Sequence, residues 1–292
     1  MPYGAIDIGA HALRLLIARV QPGGLRREVF LRRATRLGQS LQSSGRLSPE
    51  GRRQSLQALR EFLHSMAAHG VEAFQAAGTS ALREARDGKA FLAQVKELTG
   101  LHIRVLSPRE EIALVGKALE HVFSLRDALV VDIGGGSTEW LLLEGARRKQ
   151  WGSLPVGVVK LLHRPQGLRE ARQALKGIAL KAPRLVLTGG AATALLALTR
   201  GGAEPFRAEP LCLVLTLREL RGLQRRLAPL GLEELKALPG VEPQRADLIM
   251  PGLELTIMVM ETLGFSKALF SDVGVAEGLL IQLWESRGGA SQ

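Results

Sequence analysis

Cysteine and aromatic residues are scarce in this sequence, and each scarcity excludes a class of site. Cys212 is the one cysteine among 292 residues, so the sequence excludes an intrachain disulfide and a zinc site built on cysteines. It lies in the apolar run Leu211–Leu215, where we interpret it as a small buried hydrophobic side chain. Aromatic residues make up 4% of the chain, fewer than a module that stacks nucleic-acid bases on aromatic rings usually carries.

Long apolar runs are also missing. No run reaches the roughly 18 to 20 uninterrupted apolar residues that a membrane span needs. The start of the chain lacks the basic region, apolar run and cleavage site of a signal peptide. With 46% hydrophobic residues the chain can still bury two cores. We therefore expect a cytoplasmic protein of two domains, without membrane contact.

Positive charge is in clear excess. The formal net charge is +11, and the sequence pI is near 10.6. This balance indicates affinity for polyanions, which include nucleic acid, a polyphosphorylated small molecule and inorganic polyphosphate. The basic residues come as scattered pairs such as Arg26-Arg27 and Arg225-Arg226, without a recognisable groove-binding helix. That distribution argues against nucleic acid as the partner.

Two stretches of the chain repeat the same plan. In Gly4–Val20 an apolar strand leads through an Asp-x-Gly turn into a second strand, and a third strand follows near Glu28–Arg33. Ala128–Leu143 repeats the strand, the Asp-x-Gly turn and the second strand. The repeat predicts two related domains, an N-terminal domain of residues 1–124 and a C-terminal domain of residues 125–292.

The segment between the repeats alternates helices and strands. Ser48 followed by Pro49 is typical of a helix start, and apolar residues continue at helical spacing to about His69. The same patterns predict a strand at Ala73–Ala77, a helix from near Ala81, a helix at Gly88–Leu98 and a strand at Ile103–Leu106. The fold class that follows is α/β.

Each repeat places an Asp-x-Gly turn after its first strand, at Asp7–Gly9 and at Asp132–Gly134. Glycine lets backbone N–H groups approach phosphate oxygens, and such a turn forms a small anion-binding nest. An aspartate does not attract phosphate by itself, but it suits a bridging Mg²⁺ with its water shell. One such turn alone is weak evidence for a phosphate-binding site. The longer run Asp132–Glu139, with three consecutive glycines, is much more specific.

These loops belong to a wider set of motifs that resembles one protein family. Leu187–Thr193 and Ser271–Gly274 complete a pattern similar to that of the Ppx/GppA family, the exopolyphosphatases and guanosine pentaphosphate phosphohydrolases. Further segments resemble the family's motifs, in family order, over essentially the whole chain: Arg36–Gly38, Thr79–Ala85, Ser107–Glu111, Ser153–Gly157 and Arg245–Gly252.

The resemblance implies a definite fold. It predicts two actin-like (ribonuclease H-like) domains of the acetate and sugar kinase/Hsp70/actin superfamily, with a cleft between them that closes on a phosphate-bearing ligand. The chain resembles the short, two-domain form of the family, in which a homodimer is an option. Thr188–Gly190 would either lie where nucleotide-binding relatives hold adenosine or pack a helix against the sheet.

The resemblance also implies catalytic residues. Glu111 matches the second glutamate of the family's Ser-Gly-x-Glu-Glu element and would be the general base that activates water. Glu139 would position water or a metal ion. On the residues alone, Glu110 and Glu111 are an ordinary helix start capped by Ser107, with a glutamate three residues on.

Phosphate and metal ligands follow from the same motifs. Asp7, Asp132 and Glu139 would support Mg²⁺ or another divalent cation. Arg83 would be a phosphate clamp, although an exposed helix arginine is the alternative. The residues expected at phosphate are Gly9, His11, Arg14, Arg83, Gly134, Gly135, Gly136, Ser137 and Thr138.

The first loop departs from the family's pattern. The family's Asp-x-Gly-Ser-Asn-Ser is here followed, after Gly9, by Ala10, His11 and Ala12, so two hydroxyls and an amide are absent. His11 could donate to phosphate or face solvent, and the sequence leaves both open. Pro108 replaces the glycine before the glutamate pair, Ile112 the small residue after it, and Ala276 a basic residue near the C terminus.

The sequence thus predicts a Mg²⁺-assisted phosphohydrolase that releases terminal phosphate from inorganic polyphosphate or guanosine pentaphosphate. The alternative is a sensor that binds polyphosphate or guanosine penta- or tetraphosphate and has weak or lost turnover. A kinase of the same superfamily fits less well, because a clear adenosine pocket and acceptor site are not recognisable.

Overall fold

The computed structural model describes residues 1–145, 147–164, 166–176, 182–201 and 208–289. Its strands are β1 Tyr3–Ile8, β2 Ala12–Gln21, β3 Gly24–Ala34, β4 Ala73–Gly78, β5 Arg104–Val105, β6 Ala128–Ile133, β7 Thr138–Glu144, β8 Arg147–Leu154, β9 Leu185–Thr188, β10 Cys212–Thr216 and β11 Lys267–Ser271.

Helices fill most of the remainder. They are α1 Leu41–Ser44, α2 Pro49–Ala68, α3 Ser80–Glu84, α4 Gly88–Thr99, α5 Pro108–Phe123, α6 Val158–His163, α7 Gly167–Lys176, α8 Gly189–Thr199, α9 Leu217–Leu227, α10 Leu232–Ala237, α11 Ile249–Thr262 and α12 Val275–Ser286, with a 3₁₀ helix at Pro243–Leu248. Among the described residues, we find no helix that combines the length and the apolar character of a membrane span.

The chain forms two compact units. The first contains the residues up to Leu125, the short segment Ala208–Pro210 and the chain from Val273 on, whereas the second contains the rest from Arg126 to Asp272. The predicted division at residues 124 and 125 lies beside the observed one. The prediction that residues 125–292 form one domain differs from the structure at the C-terminal end, because α12 packs on the first sheet.

The first unit is built on a mixed sheet with the order β3-β2-β1-β4-β5. Strands β1 to β3 are antiparallel neighbours, and β4 and β5 continue the sheet parallel to β1. Helices α2 and α4 cover one face over a core that includes Ile6, Leu15 and Phe62. Helices α5 and α12 pack on the same sheet. The parallel strands β1, β4 and β5 therefore all finish at the same edge of the sheet, the one that runs across the strand ends.

Helix α2 begins as the sequence predicts. The Ser48 hydroxyl accepts a hydrogen bond from the Gly51 N–H at 3.2 Å, and Pro49 occupies the first turn. The cap satisfies one of the backbone donors that a helix start leaves without an intrahelical partner. Buried Leu59, Phe62 and Met66 then carry the helix over the core.

The contribution of the Ser48 cap to stability can be measured by removing its hydroxyl. The Ser48→Ala substitution should lower the free energy of unfolding by about 1 kcal/mol, because the Gly51 N–H loses its acceptor. Denaturant unfolding of both proteins measures the difference. Ser43→Ala, an exposed serine of α1, is the control and should stay within about 0.5 kcal/mol of the parent. Equal losses at both positions would contradict the assigned cap.

The second unit repeats the plan with one addition. Its sheet has the order β10-β11-β9-β6-β7-β8. Strands β6 to β8 are antiparallel like β1 to β3, and β9 and β11 continue the sheet parallel to β6. Strand β10 adds an antiparallel edge. The repeat predicted from the sequence is thus confirmed in both sheets, and the two units are mixed α/β domains.

A buried ion pair ties α12 to the first sheet. The Arg27 guanidinium on β3 donates to the Glu277 carboxylate on α12 at 2.7 Å, and both side chains are at least 94% buried. Glu277 also accepts the Gly274 N–H at the start of α12, at 2.8 Å. A buried charge without a counter-charge is strongly unfavourable, so each partner requires the other. This contact explains why the C-terminal helix belongs to the first unit.

Candidate functional site

The first glycine loop connects β1 and β2 by a tight turn. The Gly9 N–H donates to the Ala12 carbonyl at 3.0 Å. A neighbouring segment also holds the loop, since the Arg36 N–H donates to the His11 carbonyl and the Gly38 N–H to the Ala10 carbonyl, both at 2.8 Å. The backbone of the loop is therefore fixed although Ala10 and Ala12 carry no polar side chains. His11 is itself buried, so the interpretation that it faces solvent is wrong.

Asp7 lies on β1 directly opposite Arg14 on β2. The Arg14 guanidinium donates to the Asp7 carboxylate at 2.7 Å, and the aspartate side chain is 4% exposed, whereas that of Arg14 is 26% exposed. Cross-strand partners project from the same face of a sheet. The structure thus brings together two predicted site residues, and the cation beside Asp7 is an arginine of the chain itself.

Three strand ends meet beside this loop. The Thr79 N–H, after β4, donates to the Ile8 carbonyl of β1 at 3.2 Å, and the Leu106 N–H, after β5, donates to the Gly78 carbonyl at 2.9 Å. Both segments continue into helices that begin at this edge. Predicted site residues far apart in the sequence are therefore collected on one side of the first unit.

Glu111 and Arg83 face each other at this edge. Arg83 Nη1 donates to the Leu106 carbonyl at 2.6 Å and also contacts Glu111 Oε1. Glu111 lies in the first turn of α5 and is 7% exposed. A carboxylate that is largely removed from water yet paired with a cation is a candidate catalytic group. The contact brings the predicted phosphate clamp to the predicted base.

Glu110, the neighbour of Glu111, has a different role. Its carboxylate accepts from the Ser107 N–H at 2.8 Å and from the Ser107 hydroxyl at 2.7 Å, which closes a capping box. These hydrogen bonds from Ser107 keep the pKa of Glu110 below its ordinary value. The contribution of this group to stability is therefore present at neutral pH and is lost on acidification. The prediction that Glu110 is a helix-start carboxylate is confirmed.

The second glycine loop has the same turn as the first. The Gly134 N–H donates to the Ser137 carbonyl at 3.0 Å, as Gly9 does to Ala12. Helix α6 begins against this loop, because the Val158 N–H donates to the Gly134 carbonyl at 3.0 Å and the Val159 N–H to the Gly135 carbonyl at 2.9 Å. The loop carbonyls are thus held by α6.

Gly157 makes this approach of α6 feasible. A Cβ at Gly157 would lie 2.5 Å from the Gly135 carbonyl carbon and oxygen and 2.7 Å from the Gly136 nitrogen. Only a residue without a side chain lets the two backbones touch at this distance. The sequence contained a signal for this position, since Gly157 ends the segment Ser153–Gly157, but the pattern alone did not reveal its contact with the loop.

The two hydroxyls that follow the glycines are differently placed. The Thr138 side chain is fully buried and donates to the Val156 carbonyl at 2.7 Å, so its hydroxyl proton is used inside the unit. Ser137 is 5% exposed. The Thr138 hydroxyl therefore has a structural contact within the second unit. The phosphate-binding roles of Thr138, Ser137, Gly134, Gly135 and Gly136 stay predictions.

Asp132 and Glu139 form the acidic pair of the second unit. They lie directly opposite each other on β6 and β7, and their side chains therefore project from the same face. Glu139 is 2% exposed and accepts from the Ser153 hydroxyl at 2.8 Å. A Cβ at Gly189, where φ is +87°, would come within 2.1 Å of the Asp132 carboxylate. Gly189 thus leaves room for this aspartate at the start of α8.

This pair suits a hydrated divalent cation. Mg²⁺ prefers oxygen ligands and usually keeps several waters, with one or two carboxylates from the protein. Among the described residues, no group of three or more His, Cys, Asp or Glu side chains is arranged around a common metal position. The donor chemistry of Asp132 and Glu139 is sufficient for an ion held mainly through water. Asp7 fits this role less well, because Arg14 already neutralises it.

Cys212 lies outside these groups. It is half-buried on β10, and burial beside Asp272 raises the pKa of its thiol to about 11. The thiol therefore stays protonated and unreactive at neutral pH. This agrees with its interpretation as a small apolar side chain, although it is less buried than the sequence predicted.

Comparison with known proteins decides the family. A model of the Ppx/GppA phosphatase family matches residues 16–287 of the 292-residue chain. The chain belongs to the Ppx/GppA phosphatase family. The resemblance found in the sequence motifs is thereby confirmed.

Individual relatives agree with this assignment. The chain is 29% identical over 298 aligned residues to a guanosine-5'-triphosphate,3'-diphosphate pyrophosphatase of Vibrio cholerae, covering 96% of this chain. The chain spans 59% of the length of that relative. Two solved structures of the Aquifex aeolicus Ppx/GppA phosphatase are also similar. The first superposes with a TM-score of 0.76 at 27% identity, over 97% of this chain and 99% of its own. The second superposes with a TM-score of 0.81 at 26% identity, over 98% of both chains.

A further structure supports the fold alone. An exopolyphosphatase from Cytophaga hutchinsonii superposes with a TM-score of 0.84 at 20% identity, over 98% of both chains. The Ppx/GppA fold of this chain is therefore common to several solved proteins along almost its whole length.

Proposed function

We propose that this Ppx/GppA chain is a phosphohydrolase that releases the terminal phosphate of inorganic polyphosphate, guanosine pentaphosphate or both. The buried carboxylate of Glu111 supports this proposal most. It lies where β1, β4 and β5 end, on the same side of the first unit as the first glycine loop. A carboxylate in this position can accept a proton from a water molecule that attacks phosphorus. The family and the Vibrio cholerae relative, named for a pyrophosphatase, support the same chemistry.

The proposed step is a single displacement at the terminal phosphorus. A water molecule forms the new P–O bond and gives a proton to Glu111, while the anhydride P–O bond to the next phosphate breaks. The leaving group keeps the bridging oxygen as the shortened polyphosphate, or as guanosine tetraphosphate. Orthophosphate is the second product. Such reactions depend mainly on positioning and on neutralising the negative oxygens.

Backbone N–H groups of both glycine loops and the Arg14 side chain are the proposed phosphate contacts. Arg14 is partly exposed while its partner Asp7 is buried, so the guanidinium can reach an anion without leaving the aspartate. Asp132 and Glu139 are the proposed ligands of a hydrated Mg²⁺, which would neutralise phosphate charge when bound. Glu139 is fixed for this task by its hydrogen bond from Ser153.

The net charge of +11 favours the longer polyanion. Binding of polyphosphate should therefore weaken steeply as salt is added, and binding of a guanosine phosphate less so. A cytoplasmic location and the option of a homodimer stay predictions from the sequence and the family.

A sensor without turnover is the second candidate. It is favoured by Ala10, His11 and Ala12, because the first loop lacks the hydroxyl and amide groups of the family's pattern. Calorimetry with polyphosphate and guanosine tetraphosphate identifies this case if binding occurs without phosphate release. The preserved Gly9 turn favours turnover, since the loop backbone keeps the geometry of the second loop.

Phosphate release tests the proposed function directly. We expect the purified protein to release orthophosphate from polyphosphate, from guanosine pentaphosphate or from both when Mg²⁺ is present, and to lose this activity when EDTA removes the cation. Restoring Mg²⁺ should restore the rate. If neither substrate yields phosphate with Mg²⁺, Mn²⁺ or Ca²⁺, the proposal is wrong, and binding without release would then support the sensor.

A further inference from the structure

The contact between Arg83 and Glu111 has a chemical meaning beyond phosphate binding. We infer that Arg83 is a positioning residue for the catalytic base: it orients the Glu111 carboxylate and keeps it ionised. This inference rests on the proposed function, because it takes Glu111 to be the base.

Geometry supports the orienting role. Arg83 Nη1 contacts two acceptors at once, the Leu106 carbonyl at 2.6 Å and Glu111 Oε1. The Leu106 carbonyl lies just before α5, so this hydrogen bond fixes the guanidinium relative to the helix that carries Glu111. A planar guanidinium held in this way fixes the direction of the carboxylate it contacts.

Burial supports the electrostatic role. The Glu111 side chain is 9% exposed, whereas that of Arg83 is 24% exposed. Removing a carboxylate from water favours its protonated form, and a cation within contact distance favours the ionised form. Removing Arg83 therefore shifts Glu111 toward its protonated form. A base is useful only while it is ionised, so the arginine extends its working range to lower pH.

Several other charged groups on α5 and on the elements packed against it make contacts elsewhere. Glu110 of α5 is held by Ser107 and lies 3.5 Å from Arg104. Further contacts of charged residues on α5, α12 and β3 include Lys117 with Glu285, Glu277 with Arg27, Glu28 with Arg19, Arg33 with Glu61 and His121 with the Gln21 and Gly24 carbonyls. Arg32 lies over the Phe30 ring, and Arg26 is exposed. Arg83 is thus a cation in direct contact with Glu111.

A pH profile separates this role from phosphate clamping. We expect the Arg83→Met substitution to move the acidic limb of kcat/KM for polyphosphate upward by about one pH unit or more, because the pKa of Glu111 rises. At pH values well above this shifted limb, the activity of Arg83→Met should largely recover. Arg83→Lys keeps the charge but not the planar fork, so its limb should move less. A phosphate clamp would instead lower kcat/KM by the same factor at every pH, with the limb unmoved.

Arg104→Met is the matched control. It removes an arginine that lies near Glu110 and not Glu111, so the acidic limb should stay in place. An unmoved limb in Arg83→Met would overturn the inference, as would equal shifts in both variants. If Arg83→Met does not fold, the Arg83→Gln variant carries the same comparison, and its limb must move upward for the inference to stand.

Glu111→Gln separates failure of the inference from failure of the proposed function. If Glu111→Gln keeps the parent rate, Glu111 is not the base, and both fail. If Glu111→Gln is inactive while Arg83→Met changes only KM, the proposed base stands and only the inference about Arg83 is wrong.

Discussion

The Glu111→Gln substitution should lower the rate of phosphate release by about 10²- to 10⁴-fold, the range that a positioned general base contributes. Glutamine has nearly the same shape, so it can still occupy the first turn of α5 and accept a hydrogen bond from Arg83. It cannot take a proton from water. Substrate binding, measured by calorimetry, should therefore change much less than kcat.

Glu110→Gln is the matched control for this prediction. It makes the same chemical change one residue away, on a carboxylate that accepts from Ser107. Glutamine also closes a capping box, so the start of α5 is preserved. We expect phosphate release close to that of the parent protein. Equal activity of the two variants, or a larger loss at Glu110, would contradict the assignment of the base.

The second large effect is expected from Gly157→Ala. The new Cβ would lie 2.5 Å from the Gly135 carbonyl, so the glycine loop or the start of α6 must move. Overpacking of this kind lowers the free energy of unfolding by about 1–3 kcal/mol. Misplacement of a binding loop by about 1 Å can lower activity about 10²-fold. Denaturant unfolding and phosphate release measure the two effects on one preparation.

Gly222→Ala is the control in the same unit. Gly222 lies within α9, and a Cβ there would meet no atom within 4 Å. Alanine is the better helix former by up to about 1 kcal/mol, so this variant should be as stable as the parent or more so, with unchanged activity. If Gly157→Ala behaves like Gly222→Ala, the close approach of α6 to the loop is not required.

Local patterns predicted much of the fold. The helix cap at Ser48 and the two Asp-x-Gly turns depend on residues close in sequence, and the structure has them where the sequence places them. The internal repeat predicted two related domains, and both sheets begin with the same set of three antiparallel strands. The location of α12 was not predictable in this way. It depends on the contact between Arg27 and Glu277, which are 250 residues apart and have no local signature.

The same distinction holds for the candidate site. Motif resemblance selected Glu111 and Arg83 separately, whereas their contact arises from the adjacency of β4 and β5 in the sheet. Gly157 and Gly189 were visible only as members of family-like segments. Their role depends on which atoms face the missing side chain, namely the Gly135 backbone and the Asp132 carboxylate. Distances of this kind require coordinates.

In the proposed reaction Glu111 directs a water molecule to the terminal phosphorus. Hydrolysis of unlabelled polyphosphate and guanosine pentaphosphate in water enriched in heavy oxygen tests it most directly, with mass analysis of both products. We expect the label to enter the released orthophosphate and to be absent from the shortened product, at a rate that falls sharply in Glu111→Gln. Label in the longer product, or equal labelling rates in the parent protein and Glu111→Gln, would contradict it.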